Sequence, residues 1–376
     1  MADVPNTSTF TFQDVTTSVY GDNAAGRNLS GAFTSAISGA FNASYSGSKN
    51  SQLNFRNYSP AAADGIFTTL ITTQAIVRSL DRFTSAASMV SPAKYSRLKV
   101  AISNSGQYQT VIYDGSGYPI VSNDYGVTWS DKGINAYCSE VIMDGTGQYQ
   151  YVFSSGYPYT TYYYSTDYGQ NWSTQTGPTQ NSFVACSNNT QYRLTKDINY
   201  LKYSSDYGAS YTTVSGNILP SFAAMSYTGQ YAITSDVYGA VKYSSNYGAS
   251  WTNASFPDQG YGTTGYRFTN GLAVSGTGQY MYAGPYYYYD ANTDTDLYNV
   301  VAGMKSSNYG ASWSVISPAY TITTKHVKMN YNGSYILVGS QSSTCIYSNN
   351  YGASFSSRSN STSAPTTSIG INQIIN

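Results

Sequence analysis

Ser204-Ser205-Asp206-Tyr207-Gly208-Ala209-Ser210-Tyr211 is a phrase that the chain repeats. It returns as SNDYGVTW from Ser122, STDYGQNW from Ser165, SSNYGASW from Ser244, SSNYGASW from Ser306 and SNNYGASF from Ser348. Each copy joins a polar, glycine-containing turn to a closing aromatic residue, and a spacing of roughly forty residues marks an array of similar supersecondary units. A second phrase stands ahead of each copy: Gly106-Gln107-Tyr108, Gly147-Gln148-Tyr149, Thr190-Gln191-Tyr192, Gly229-Gln230-Tyr231, Gly278-Gln279-Tyr280 and Gly333-Ser334-Tyr335. Short apolar runs flank it, such as Glu140-Val141-Ile142-Met143 before and Tyr149-Gln150-Tyr151-Val152-Phe153 after. One unit therefore reads strand, tight turn, strand, loop, strand, polar turn, strand. Four antiparallel strands per unit, repeated, predict an all-β chain built as a β-propeller.

Six complete units predict six blades over residues 97–376, or seven if further strands join the ring. The C-terminal run Ser368-Ile369-Gly370-Ile371-Asn372-Gln373-Ile374-Ile375 and a strand near Phe67 are the candidates for closing it. Residues 59–96 read as a linker that offers such a closing strand. Within it, Ile66 to Ile71 suits a strand and Ala75 to Leu80 suits a helix, since periodicity does not separate the two in short apolar runs.

The polar turn fits S-x-[DN]-x-G-x-x-[aromatic], and in this it resembles the Asp-box, or BNR repeat, of sialidase-like propellers. Asp124, Asp167, Asp206, Asn246, Asn308 and Asn350 occupy the acidic or amide position. A carboxylate or amide oxygen there accepts bonds from turn N–H groups, the Ser hydroxyl ties the preceding strand, and Gly takes positive φ. The six copies thus read as structural, with the closing aromatic packing into the blade.

Residues 1–58 have a different texture. Thr9-Phe10-Thr11-Phe12 alternates as a short strand, and Leu29, Phe33, Ile37 and Phe41 recur at helical spacing behind Asn28 as a cap. A helix this short has to bury its stripe against another chain copy or a neighbouring protein. The "TFTFQDV" opening, the short helix and "YSGSKNSQLNFRNY" from Tyr45 together resemble a leader module of virion proteins from phages infecting Bacteroidetes. That resemblance implies attachment and oligomerisation on a virus particle, beneath an outward-facing domain, and so a virion-surface location and other virion proteins as partners.

Composition narrows the remaining classes. Eighteen basic residues balance eighteen acidic ones, which gives no basic footprint for nucleic acid. No apolar run reaches the ~20 residues needed to span a bilayer, and no charged-then-apolar secretory signal opens the chain. Cys138, Cys186 and Cys345 lack metal-ligand spacing and read as small buried hydrophobes. Tyrosine, at 42 residues, is the outlier.

Both repeated turns fall at one end of the blades, so the variable connections emerge at the other. There the fifth unit carries Gly284-Pro285-Tyr286-Tyr287-Tyr288-Tyr289-Asp290-Ala291-Asn292-Thr293-Asp294-Thr295-Asp296, beside a lengthened connection around Phe256 to Tyr266. With Tyr118, Tyr157, Tyr159, Tyr238 and Tyr261, the run Tyr286 to Tyr289 forms the candidate binding surface for a host glycan or protein. Tyr offers a flat apolar face and a hydroxyl at small entropic cost. Asp290, Asn292, Asp294 and Asp296 alternate as calcium ligands do, without the glycine at the sixth place or a glutamate at the twelfth. No other cofactor is expected. A propeller glycosidase is the alternative reading, but sialidase chemistry needs an arginine cluster and a glutamate-activated tyrosine. Residues 97–376 hold Arg97, Arg193, Arg267 and Arg358, one glutamate, Glu140, and one histidine, His326, with no evident nucleophile partner. No catalytic residue is assigned, and binding is the expected role.

Overall fold

A computed structural model describes residues 68–72, 75–79, 88–92, 98–113, 119–134, 138–154, 161–176, 182–196, 200–236, 240–257, 266–268, 271–284, 286–290, 295–301, 303–316, 324–340, 344–359 and 366–371. The expected N-terminal strand and helix lie outside them. The described strands form seven four-stranded antiparallel sheets and one three-stranded sheet. Their inner strands contact one another in sequence around a closed ring, which makes the fold a seven-bladed β-propeller.

Blades one to six are the six repeated units. Blade one runs Leu98–Ile102, Gln109–Tyr113, Ile120–Ser122 and Ser130–Asp131, from the inside outward. The inner strands of blades two to six are Cys138–Met143, Ser182–Cys186, Pro220–Met225, Leu272–Val274 and Thr324–Met329. The seventh blade draws on both candidate closing segments. Its inner strand is the C-terminal Thr366–Ile371, followed outward by Thr68–Thr72, Ala75–Ser79 and Ser88–Pro92. Ala75 to Leu80 was the stretch expected to be helical. Its described part, Ala75–Ser79, pairs instead as a strand, Val77 opposite Leu70, because Ile76 and Val77 then bury against neighbouring blades, an outcome that local pattern does not encode.

The seam on either side of this blade is tied by polar and apolar contacts. Thr69 Oγ1 donates to Gln109 Oε1 at 2.8 Å, and the Val100 N–H donates to Ser368 Oγ at 3.2 Å. Toward blade six, Val77, Ile369 and Ile371 pack with Tyr335, Leu337, Cys345 and Tyr347. The cysteines are free, and burial pushes the Cys138 and Cys345 thiols up to about 11 and about 12.

The polar turn explains its own repetition. In blade three, Ser204 Oγ donates to Asp206 Oδ1 at 2.7 Å and accepts the Gly208 N–H at 2.9 Å. Asp206 also accepts the Ser210 N–H and hydroxyl at 2.9 and 2.6 Å. In the asparagine copies the last bond reverses direction, so that Asn246, Asn308 and Asn350 donate Nδ2 to Ser250, Ser312 and Ser354. Trp129, Trp172, Trp251 and Trp313 close the turn by donating Nε1–H to the glycine carbonyl. Asp or Asn is thus fully occupied in holding the loop.

One property of the turn is absent from its sequence pattern. Not only the glycine but the tyrosine before it lies at positive φ, from 58° at Tyr351 to 63° at Tyr247. For a bulky residue that conformation is costly. The compensation is that the N–H of this tyrosine reaches the first turn of the same blade, as in Tyr247 N–H to Gln230 O at 3.0 Å. In blades two, four, five and six its ring also meets the first-turn tyrosine of the preceding blade. Tyr168 meets Tyr108, Tyr247 meets Tyr192, Tyr309 meets Tyr231 and Tyr351 meets Tyr280, with ring centroids 4.2–4.7 Å apart.

Candidate functional site

The two ends of the propeller are chemically different. At the repeated-turn end, backbone bonds pass from blade to blade around the channel mouth. Asn104 N–H donates to Gly145 O, Gly145 to Asn188, Asn188 to Tyr227 and Tyr227 to Gly276, at 2.8–2.9 Å. Side chains then cross the opening. Asn104 Nδ2 of blade one donates to the Tyr227 hydroxyl of blade four at 3.1 Å, almost diametrically across a ring of seven. Tyr227 also packs edge-on to Tyr331 of blade six at 5.3 Å. Gly145 leaves room for this plug, since a Cβ there would lie 2.2 Å from Asn188 and 2.3 Å from Asn104. The channel is closed at that end.

Behind the plug lies a cavity of about 370 Å³, lined by all seven inner strands. Its wall is asymmetric. Lys99 of blade one is ion-paired with Glu140 of blade two. His326 and Lys328 of blade six stand on the other side of the closing strand. Blades three to five contribute Ala185, Phe222, Ala224 and Leu272. A bulge between Cys138 and Glu140, and another between Thr324 and His326, shifts the register just before these two titratable residues. Such bulges re-aim the side chains beside them. Lys328 is reached by solvent yet surrounded by protein. That enclosure lowers its pKa, with Glu140 opposing the shift and Lys99 adding to it. Enclosure likewise pushes the Cys186 thiol up to about 11.

At the opposite end, blade five departs from the pattern. Between its second strand, Met281–Ala283, and its third, Met304–Ser306, the chain makes a hairpin of Tyr286–Asp290 and Thr295–Val301. Tyr266–Phe268, from the lengthened connection, pairs with it, Tyr266 opposite Tyr288 and Phe268 opposite Tyr286. The two insertions are adjacent, as their place in the units implied. They are a three-stranded sheet rather than loops, in keeping with the strand preference of a tyrosine run. Gly284 at φ 158° and Gly303 at φ 129° mark where the hairpin leaves and rejoins the blade.

The expected site residues are distributed as follows. Tyr286 to Tyr289 form most of one inserted strand, and Tyr118, Tyr157, Tyr159, Tyr238 and Tyr261 lie outside the described residues. Of the calcium candidates, Asp290 ends one strand and Asp296 sits in the next, opposite Tyr289, while Asn292 and Asp294 lie outside the described residues. His326, given no role from its sequence context, lines the channel with Glu140, Lys99 and Lys328, a grouping that sequence reasoning missed. A signal existed: Lys99, Glu140 and His326 each stand four residues before the residue opening the first turn, Ser103, Asp144 and Asn330.

No family model matches the chain, and no curated protein matches its sequence. Solved structures do resemble it. A protein from Lactobacillus plantarum aligns with a TM-score of 0.54 at 12% identity, over 82% of this chain and 99% of that one. A chain of a nidogen/laminin complex aligns at 0.47 and 10% identity, over 82% of this chain and all of that one. The GH74 enzyme of Niastella koreensis aligns at 0.45 and 18% identity, over 83% of this chain and 46% of the enzyme. Likeness at such identities speaks to the fold alone.

Proposed function

We propose that this chain is a structural protein of a phage particle, a spike or fibre, whose propeller binds the host cell surface, through glycans, by its inserted tyrosine-rich sheet. The observation that carries this reading is the division between the two ends. At one, repeated turns spend their polar groups on one another. At the other, a rigid scaffold presents an added sheet whose strand Tyr286–Asp290 is four-fifths tyrosine. Residues 1–58 supply the docking and oligomerisation, on the strength of their resemblance to a virion leader module. Several copies side by side convert weak stacking contacts into useful avidity. A glycosidase by the common two-carboxylate route needs a pair of acids at the substrate. Among the described channel-lining residues Glu140 is the one carboxylate, and it is engaged by Lys99, which favours binding over hydrolysis.

The test is to join Gly284 to Gly303 in a single short turn, which leaves the strands Met281–Ala283 and Met304–Ser306 able to pair as they do now. Full-length protein should adhere to host cells and the shortened form should not, with unfolding temperatures within a few degrees of each other. Equal adhesion by both forms, or none by the intact protein, would sink the proposal, and release of reducing sugar would replace it with the enzyme.

A further inference from the structure

We propose that the blind channel is a binding site for a small oxyanion, held by the ammonium groups of Lys328 and Lys99 and admitted from the end that carries the inserted sheet. This goes beyond the adhesion reading and stands or falls separately from it. Three observations support it. The channel is a cup: the bond from Asn104 to Tyr227 and the Tyr227–Tyr331 contact seal its floor, so a ligand enters and leaves by one mouth. The cavity, about 370 Å³, lies within the range that small-molecule pockets occupy. Its charges do not cancel, because Glu140 is the one acid among the described lining residues and is already paired with Lys99. Lys328 makes no hydrogen bond or ion pair among the described residues, is open to the solvent of the channel, and meets the charge of Glu140 only as a carboxylate already paired with Lys99. A protein that places an unneutralised ammonium in a closed-bottom cavity favours an anion there.

The chain carries its own reporter. His326 is its one histidine and lines the cup, so selective isotope labelling of histidine gives a single imidazole signal in the untagged protein. Sodium phosphate, titrated at constant ionic strength against sodium chloride, should shift that signal saturably. Lys328→Gln should weaken the apparent affinity about tenfold, the scale of one charge-assisted contact, while Lys328→Arg retains it. Glu140→Gln should tighten binding several-fold, because it frees Lys99. Opposite signs for two neighbouring substitutions are not what loss of folding produces, and tryptophan fluorescence checks that each variant is native. Glucuronate should shift the signal and glucose should not. An unsaturable shift, an equal response in Lys328→Gln, a weakened Glu140→Gln variant, or a glucose response matching that of phosphate would each overturn the proposal.

Discussion

Tyr247→Asn and Tyr207→Asn make the same change in the same turn and should have different consequences. Both tyrosines lie in the left-handed region, at φ 63° and 60°, where asparagine is tolerated better than an aromatic residue. Relief of that strain is worth about 0.5–1 kcal/mol in either variant. At Tyr247 it is outweighed. The ring is half-buried and stacked on Tyr192 with centroids 4.2 Å apart and planes at 26°. Losing such a pair costs about 0.5–1.5 kcal/mol, and re-exposing the buried part of the ring costs about 1 kcal/mol more. The net effect should be a loss of about 0.5–2 kcal/mol by these figures. Tyr207 is 56% exposed, and Tyr149, its counterpart on the preceding blade, is 44% exposed. There is little to lose, so Tyr207→Asn should be neutral or slightly stabilising. Urea unfolding followed by fluorescence of the four tryptophans, all of which close repeated turns, measures both. A double-mutant cycle with Tyr192→Leu isolates the stack. Equal destabilisation by the two variants would refute the claim that the stack on Tyr192 outweighs the backbone strain at Tyr247.

Two further outcomes follow from the same turns. The Asp206 carboxyl is held down to about 2 by the Ser210 hydroxyl and N–H and by the Ser204 hydroxyl. A depressed folded-state pKa stabilises above the unfolded value near 3.8 and loses that contribution as pH falls toward 2. Asp206→Asn should therefore leave stability at pH 7 almost unchanged, as the natural asparagine copies imply, and flatten the stability profile between pH 4 and pH 2. A steep loss at pH 7 would show that the charge itself matters. Trp313→Ala should cost about 3–5 kcal/mol, as truncating large buried aromatics does. The ring is 6% exposed, packs on Phe256 at 5.1 Å and donates to Gly310 O, so a loss below 1 kcal/mol by the same urea assay would contradict its place in the core.

Six blades were legible because a tight turn leaves a dense residue pattern: serine, acceptor and glycine at fixed offsets. The seventh was legible only as two candidate closing segments, since its strands come from distant parts of the chain and carry no such turn. Pairing between Leu70 and Ile369 is a fact about distant segments, and the same remoteness let Ala75 to Leu80 pass for a helix. The inserted sheet was located correctly from its place in the unit, yet its conversion from loop to sheet depends on Tyr266–Phe268 meeting Tyr286–Tyr288 across eighteen or more residues. The channel cluster was half legible. Aligning the units puts Lys99, Glu140 and His326 in one column, and Lys328 in another whose remaining members are Ala101, Ile142, Ala185, Ala224 and Ala273. The crossing of Asn104 to Tyr227 was beyond reach, because it depends on the diameter of the closed ring.

The pairing of Thr68 with Ile371 has a mechanical side. Anything tethered ahead of Thr68 pulls on a strand held along both edges, by Ala75–Ser79 on one and by Thr366–Ile371 on the other. Tension from the tether is shared between two rows of backbone hydrogen bonds before any blade is asked to open. The strand that bears it is also locked to blade one through Thr69 and Gln109. A ring closed in this way is loaded first at its double-stitched blade, and the repeated units receive force only through their contacts with it.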